Sequence, residues 1–281
     1  MRLAVVQLRD APPDTAANLA RCLRFLQEAA DRGADLVVFP EMALTGYYLD
    51  QEMARRAASV APAFARVRAA VDQLGLSAVI GLPLFQGEAL LNAVAVLRPG
   101  VEPELYAKTH LFRREKEWFT PGARLWHGEV AGWHCGILHC YEIGFPEIAR
   151  SLALQGARLF LAPAAFGRPR ELIWNTMTIA RALENTAYLA AAAQAGTSGN
   201  ISFLGHSRIV DPLGHILAEA DEEETLIVAD LDPDVIASVR RGRSDANDYL
   251  ADRRPELYEP VTRPPAEPPR SANSDSTALA Y

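Results

Sequence analysis

Short apolar runs rich in Val, Ile and Leu alternate along this chain with longer segments in which apolar residues recur every three or four positions. That alternation is the strongest constraint on the fold, because each strand-like run needs a helix face or a second sheet to cover it. Leu3 to Leu8 reads as a strand. From Asp14 to Arg32, the residues Leu19, Leu23, Leu26 and Ala30 fall on one helical face, with Asp14 as N-cap and Gly33 where a C-terminal glycine belongs. Asp35 to Phe39 is a buried strand stopped at Pro40, which has no N–H to continue a ladder. The first unit is therefore βαβ.

The same reading gives a helix from Ala61 to Leu74, strands at Ala78 to Leu82 and Asn92 to Leu97, and a strand ending near Tyr106. Gly132 to His139 is the next strand, followed by a helix from Pro146 to Gln155. A strand at Leu159 to Leu161, a helix from Glu171 to Glu184 and a strand at Ala187 to Ala193 continue the alternation. Strands near Ser207 to Val210, Ile216 to Glu219 and Thr225 to Ala229 precede a last helix at Pro233 to Arg241. An α/β architecture follows. A chain of 281 residues, 49% hydrophobic, has enough apolar surface for one such domain, expected to span residues 1–260. Beyond Pro260, prolines and serines replace the large apolar residues, so residues 261–281 form a tail that is expected to be flexible.

Charge and cysteine content narrow the function. With 28 basic and 35 acidic residues the net charge is −7, and no basic stripe is available to follow a phosphate backbone, so nucleic acid is not an expected partner. No run of about twenty apolar residues offers a membrane span, and the apolar start of the chain is broken by Gln7, Arg9 and Asp10 before it reaches signal-peptide length. Three cysteines, Cys22, Cys135 and Cys140, make no disulfide framework and fit a reducing, cytoplasmic setting.

Chemistry is expected where strands end, since loops there can vary while the sheet holds them rigid. Glu41 follows the strand ending at Phe39, Lys108 follows the one ending near Tyr106, and Cys140 follows Ile137-Leu138-His139. Each alone is ordinary: a Glu or Lys past a strand is most often a solvated loop charge, and a free cysteine is most often packing. Together they form a coherent set, because a thiol needs a base to take its proton and a cation to stabilise the charge that develops. The dipeptides His134-Cys135 and His139-Cys140 suggest a metal site, but the alternation of a strand sends the four side chains to opposite faces.

The segments Phe39-Pro40-Glu41-Met42-Ala43-Leu44-Thr45-Gly46-Tyr47, Tyr106-Ala107-Lys108-Thr109-His110-Leu111-Phe112 and Cys140-Tyr141-Glu142-Ile143-Gly144-Phe145-Pro146-Glu147 resemble, in order, the three signature blocks of the nitrilase superfamily of carbon–nitrogen hydrolases. The likeness extends through Ala180-Arg181-Ala182-Leu183-Glu184-Asn185 to Asp252-Arg253-Arg254-Pro255-Glu256-Leu257-Tyr258. The resemblance implies a four-layer αββα sandwich and a Glu-Lys-Cys triad at Glu41, Lys108 and Cys140. It also implies a second glutamate before the Phe119-Thr120-Pro121-Gly122 turn, for which Glu115 is the choice and Glu117 the alternative. The backbone of Tyr141 is the implied oxyanion donor, Phe166 and Trp174 are candidates to line the acyl pocket, and Glu147 and Arg181 are candidates for buried ion pairs that brace the site.

No metal or cofactor is implied. Cys-Tyr-Glu at the nucleophile, followed by Phe-Pro-Glu, is similar to the amidase branches, in particular to bacterial aliphatic amidases of the 5-aminopentanamidase type. The implied activity is hydrolysis of a small aliphatic amide through a cysteine thioester. Hydrolysis of an N-carbamoyl amine or a nitrile, or a catalytically dead small-molecule-binding protein on the same fold, are the alternatives. A homodimer or larger even-numbered oligomer is also implied, pairing through the helix after Cys140 by way of Ile148, Leu152 and Ala153.

Overall fold

A computed structural model describes residues 1–263. The chain runs β1 (Arg2–Arg9), α1 (Thr15–Asp31), β2 (Leu36–Val38), α2 (Met53–Ser59), α3 (Ala61–Leu74), β3 (Ser77–Gln86), β4 (Ala89–Leu97), β5 (Glu104–Ala107), α4 (Glu115–Trp118), β6 (His127–Val130) and β7 (Trp133–Ile137). It continues with α5 (Pro146–Leu154), β8 (Leu159–Ala164), α6 (Glu171–Leu183), β9 (Tyr188–Ser198), β10 (Ile201–Leu204), β11 (Arg208–Val210), β12 (Ile216–Glu219), β13 (Thr225–Asp230) and α7 (Pro233–Arg240). A 3-10 turn at Cys140–Gly144 lies between β7 and α5. The tail beyond residue 263 lies outside the described residues.

The strands form two faces of a sandwich. On one face β5-β4-β3-β2-β1 is closed by β13, which runs antiparallel to β1; on the other β6-β7-β8-β9 continues into β11 and β12. The two faces are stitched where β1 meets β9, with Leu8 opposite Gln194 and Arg9 opposite Ala195. Alternation along each strand divides the core into layers. In β1, Leu3 and Val5 join Leu159, Leu161, Ile137 and Tyr188 between the sheets. Ala4, Val6 and Leu8 turn the other way, onto Cys22, Phe25 and Leu26 of α1 and Val67 and Val71 of α3. In β8, Phe160 and Ala162 meet Ile148 and Leu152 of α5 and Trp174 of α6. The order helices, sheet, sheet, helices is a four-layer αββα sandwich.

Local signals explain the boundaries. Asp14 caps α1 by accepting from the N–H groups of Ala16 and Ala17, and Gly33 carries the chain out at φ +70°. The strand expected to run through His139 stops at Ile137, because Cys140 takes φ +53° and no extended run passes through that conformation. Helices α2 and α4 and strands β6 and β10 are additions to the expected set. Their runs of four to seven residues are too short to show a period. Ile148, Leu152 and Ala153 are buried against their own sheet, so they are not the expected surface for a partner. The exposed apolar residues of that layer are Leu154 on α5 and Leu172, Ile173 and Leu183 on α6.

Candidate active site

Glu41, distant in sequence, meets Lys108 and Glu115 as fully buried side chains. The Lys108 ammonium donates to Glu41 Oε1 at 2.7 Å and to Glu115 Oε1 at 2.8 Å. Each carboxylate has further donors. Asn92 Nδ2 donates to Glu41 at 2.7 Å, the Ala165 N–H donates to Glu41 Oε2 at 2.9 Å, and Tyr47 donates its phenol proton to Glu115 at 2.6 Å. The Phe112 N–H donates to Glu115 Oε2 at 2.8 Å. Two buried carboxylates around one ammonium are tolerable because nearly every lone pair facing the protein is used. Glu117, by contrast, is exposed and faces Arg114 at 3.5 Å.

Electrostatics fix the charge states. Burial works against the Glu41 carboxylate, but the Lys108 ammonium and the His139 ring hold it well below the usual carboxylate range. Burial works against the Lys108 ammonium too, and Glu41 and Glu115 overcome it, raising the amine above an ordinary lysine. Burial, Glu115 and Glu41 raise the Tyr47 phenol, so it stays a neutral donor. The Cys140 thiol is pushed up by burial and Glu41, with Lys108 opposing. At neutral pH the set is therefore a carboxylate, an ammonium and an un-ionised thiol.

Cys140 begins the 3-10 turn with backbone φ +53°, which costs roughly 1–2 kcal/mol for a residue with a side chain. Surrounding bonds hold it there. The buried Glu142 carboxylate accepts from the His139 N–H at 2.9 Å, the Thr109 N–H at 2.7 Å, the Thr109 hydroxyl at 2.7 Å and the Tyr106 hydroxyl at 2.7 Å. It thereby ties the turn carrying Cys140 to the loop carrying Lys108. Arg181 supports the same turn from α6, donating to the Ile143 carbonyl at 2.9 Å, and its ion-pair partner is Glu184. Glu147 is exposed and makes no ion pair among the described residues, contrary to the expected bracing role.

The family model described as carbon-nitrogen hydrolase matches residues 2–241. The chain belongs to the carbon–nitrogen hydrolase family. It is 37% identical over 269 residues to a Pseudomonas protegens protein described as a hydrolase in the pqqF 5′ region, covering 94% of this chain and 92% of that one. It is 34% identical to an (R)-stereoselective amidase from a Pseudomonas species, covering 90% and 92% of the two chains. Among solved structures it matches an amidase from Nesterenkonia sp. AN1 with TM-score 0.82 and 32% identity, over 92% of this chain and 95% of that one. One solved form of that amidase carries the acetamide moiety of fluoroacetamide added covalently at its active-site cysteine.

Other residues of this hydrolase were not singled out from the sequence. Asn92 and Gln194 are polar residues inside apolar strands, which is the signal that could have found them; Gln194 Nε2 donates to the Glu41 carbonyl at 2.7 Å. His139 is fully buried with Nε2 3.3 Å from Glu41 Oε1, near enough to feel its charge but out of line for a hydrogen bond. Tyr141, the implied oxyanion donor, is half-buried, with its ring 5.0 Å from Phe112. Phe166 is buried next to Ala165, whose N–H holds Glu41. Trp174 is fully buried in the same cluster as Phe166 and Cys140: its indole N–H donates to the His206 carbonyl at 2.9 Å and its ring centre lies 5.1 Å from that of Phe166. A cavity of about 420 Å³ opens beside the site, lined by His110, Leu111, Lys116, Phe119, Tyr141 and Phe145 among others. A larger one of about 660 Å³ lies between α5, α6 and the C-terminal segment, away from this chemistry. Of the four residues once suggestive of a metal, His134 stacks on His127 and Cys135 is buried between the sheets, while His139 and Cys140 belong to this site.

Proposed function

We propose that this carbon–nitrogen hydrolase cleaves a small primary aliphatic amide to its carboxylic acid and ammonia, with Cys140 as nucleophile, Glu41 as base and Lys108 as oxyanion partner. One observation carries the reading: a fully buried ammonium bridging two carboxylates beside a cysteine held at left-handed backbone angles. Because the thiol is un-ionised and Glu41 is charged, deprotonation accompanies attack. Sγ bonds to the carbonyl carbon as its proton passes to Glu41. The oxyanion is met by the Lys108 ammonium and by the N–H of Tyr141, which lies in the first turn of the 3-10 segment where N–H groups lack partners within the helix. Glu41 returns the proton to nitrogen, the C–N bond breaks and ammonia leaves. Water then attacks the thioester, Glu41 takes its proton, the C–S bond breaks, and the acid departs as the thiol is restored. Glu115 keeps Lys108 charged and aimed.

Three unpaired cysteines suit a reducing cytoplasm. A homodimer or larger even-numbered oligomer is supported by the exposed Leu154, Leu172, Ile173 and Leu183, and light scattering checks it. Ammonia release from acetamide, propionamide and butyramide, set beside nitriles and N-carbamoyl amines, tests the activity. Turnover of the amides by the parent and none by Cys140→Ala is the expected result. Preferential turnover of nitriles or N-carbamoyl amines would replace the amide assignment.

A further inference from the structure

Arg170 is held close to this site in a way the mechanism does not use. Its guanidinium carbon lies 4.1 Å from the centre of the Phe112 ring and 4.3 Å from that of Phe166. Both rings are anchored to the site: the Phe112 N–H holds Glu115, and the residue before Phe166 holds Glu41 through its N–H. Two aromatic rings within cation–π distance of one planar cation hold it by their faces, an attraction that does not consume its N–H donors. Among the described residues no carboxylate or other side chain accepts from those donors, although Arg2, Arg9, Arg21, Arg56, Arg181 and Arg208 all have acidic partners. Its charge also reaches Cys140: burial, Glu41 and Glu115 raise that thiol, and Lys108 and Arg170 oppose them.

Resting on the amidase reading, we infer that Arg170 is a specificity-determining residue that receives an anionic group at the far end of the acyl chain, so that the preferred substrates are amides ending in a carboxylate. A planar guanidinium held rigid by stacking pays little ordering entropy on meeting a carboxylate, and its fork matches the two oxygens. Lys116, lining the adjacent cavity, adds charge of the same sign. An ω-amino amide, by contrast, would bring an ammonium toward this cation.

Calorimetric binding to Cys140→Ala protein tests the inference without turnover, with succinamate as the anionic amide and butyramide as its neutral counterpart. Succinamate is expected to bind tighter by about tenfold or more, as for a charge-assisted hydrogen-bonded pair. That advantage should vanish in Cys140→Ala/Arg170→Met and survive in part in Cys140→Ala/Arg170→Lys. Equal affinities in the Cys140→Ala protein, or an advantage that persists with Met at position 170, would overturn it. The binding preference without turnover of any amide by the parent would support the inference and count against the amidase reading alone.

Discussion

Gly81 of β3 lies directly against the backbone of Glu41: a Cβ at position 81 would come within 2.5 Å of Glu41 Cα and 2.7 Å of the Pro40 carbonyl oxygen. The contact is reinforced by hydrogen bonds on both sides, from the Gly81 N–H to Pro40 O at 3.2 Å and from the Ala43 N–H to Gly81 O at 2.8 Å. The position of Glu41 therefore depends on the absence of a side chain on the neighbouring strand. Gly81→Ala should push Glu41 away from Lys108, lowering kcat by on the order of a hundredfold and stability by about 1–3 kcal/mol. Steady-state kinetics and thermal melting of the variant check both effects.

Glu41→Gln keeps the shape of the side chain and removes the proposed base, while Lys108→Met removes the proposed charge partner of the oxyanion. Loss of one preorganised donor costs on the order of a hundred- to a thousand-fold in other enzymes, and each variant should lose at least that much in kcat. Near-normal turnover in either would reject the role given to that residue. Far-ultraviolet circular dichroism shows whether the variants are folded.

Glu115 and Glu117 lie two residues apart, yet one is buried between Lys108 and Tyr47 and the other is exposed. Glu115→Gln should reduce kcat/KM by about a hundredfold or more, because it leaves Lys108 with one carboxylate partner and weakens its aim. Glu117→Gln should retain most of the parent activity and melt within about 0.5 kcal/mol of it. Measuring the two side by side distinguishes the buried carboxylate from its neighbour.

The α/β alternation was legible because Leu3 to Leu8 and Ala61 to Leu74 carry strand and helix patterns, the four-layer αββα order was implied by the family resemblance, and the strand ends pointed to Glu41, Lys108 and Cys140 as candidates. What the pattern did not carry is the support around them. The side chains of Tyr47, Asn92, Glu142 and Gln194 act through tertiary hydrogen bonds, and nothing in linear spacing foretells which carbonyl or carboxylate each will meet. Arg170 escaped notice because its contact with Phe112 joins residues distant in sequence.

The shifts at Glu41 and Lys108 set the pH behaviour. The folded Glu41 is depressed, so its stabilising contribution is present above the unfolded value of about 4.3 and is lost as pH falls through the folded one. The folded Lys108 is raised, so its contribution is complete below about 10.4 and is lost as pH rises through the folded value. With the Cys140 thiol also raised, none of the three titrates near neutrality. On a neutral amide, kcat/KM should be flat from about pH 6 to 9, and an inflection near the ordinary thiol value of about 8.5 would show that a preformed thiolate is the attacking species instead.

The covalent step is the central claim, and intact-protein mass spectrometry after rapid acid quench of protein mixed with excess butyramide reads it directly. The parent should gain the mass of one butyryl group in place of a proton. Peptide mapping should assign that mass to Cys140, with Cys22 and Cys135 unmodified; both are buried, with thiols pushed up to about 12. Cys140→Ala should show neither adduct nor ammonia release. Sustained ammonia release by folded Cys140→Ala, or a butyryl group on any residue other than Cys140, would contradict the mechanism.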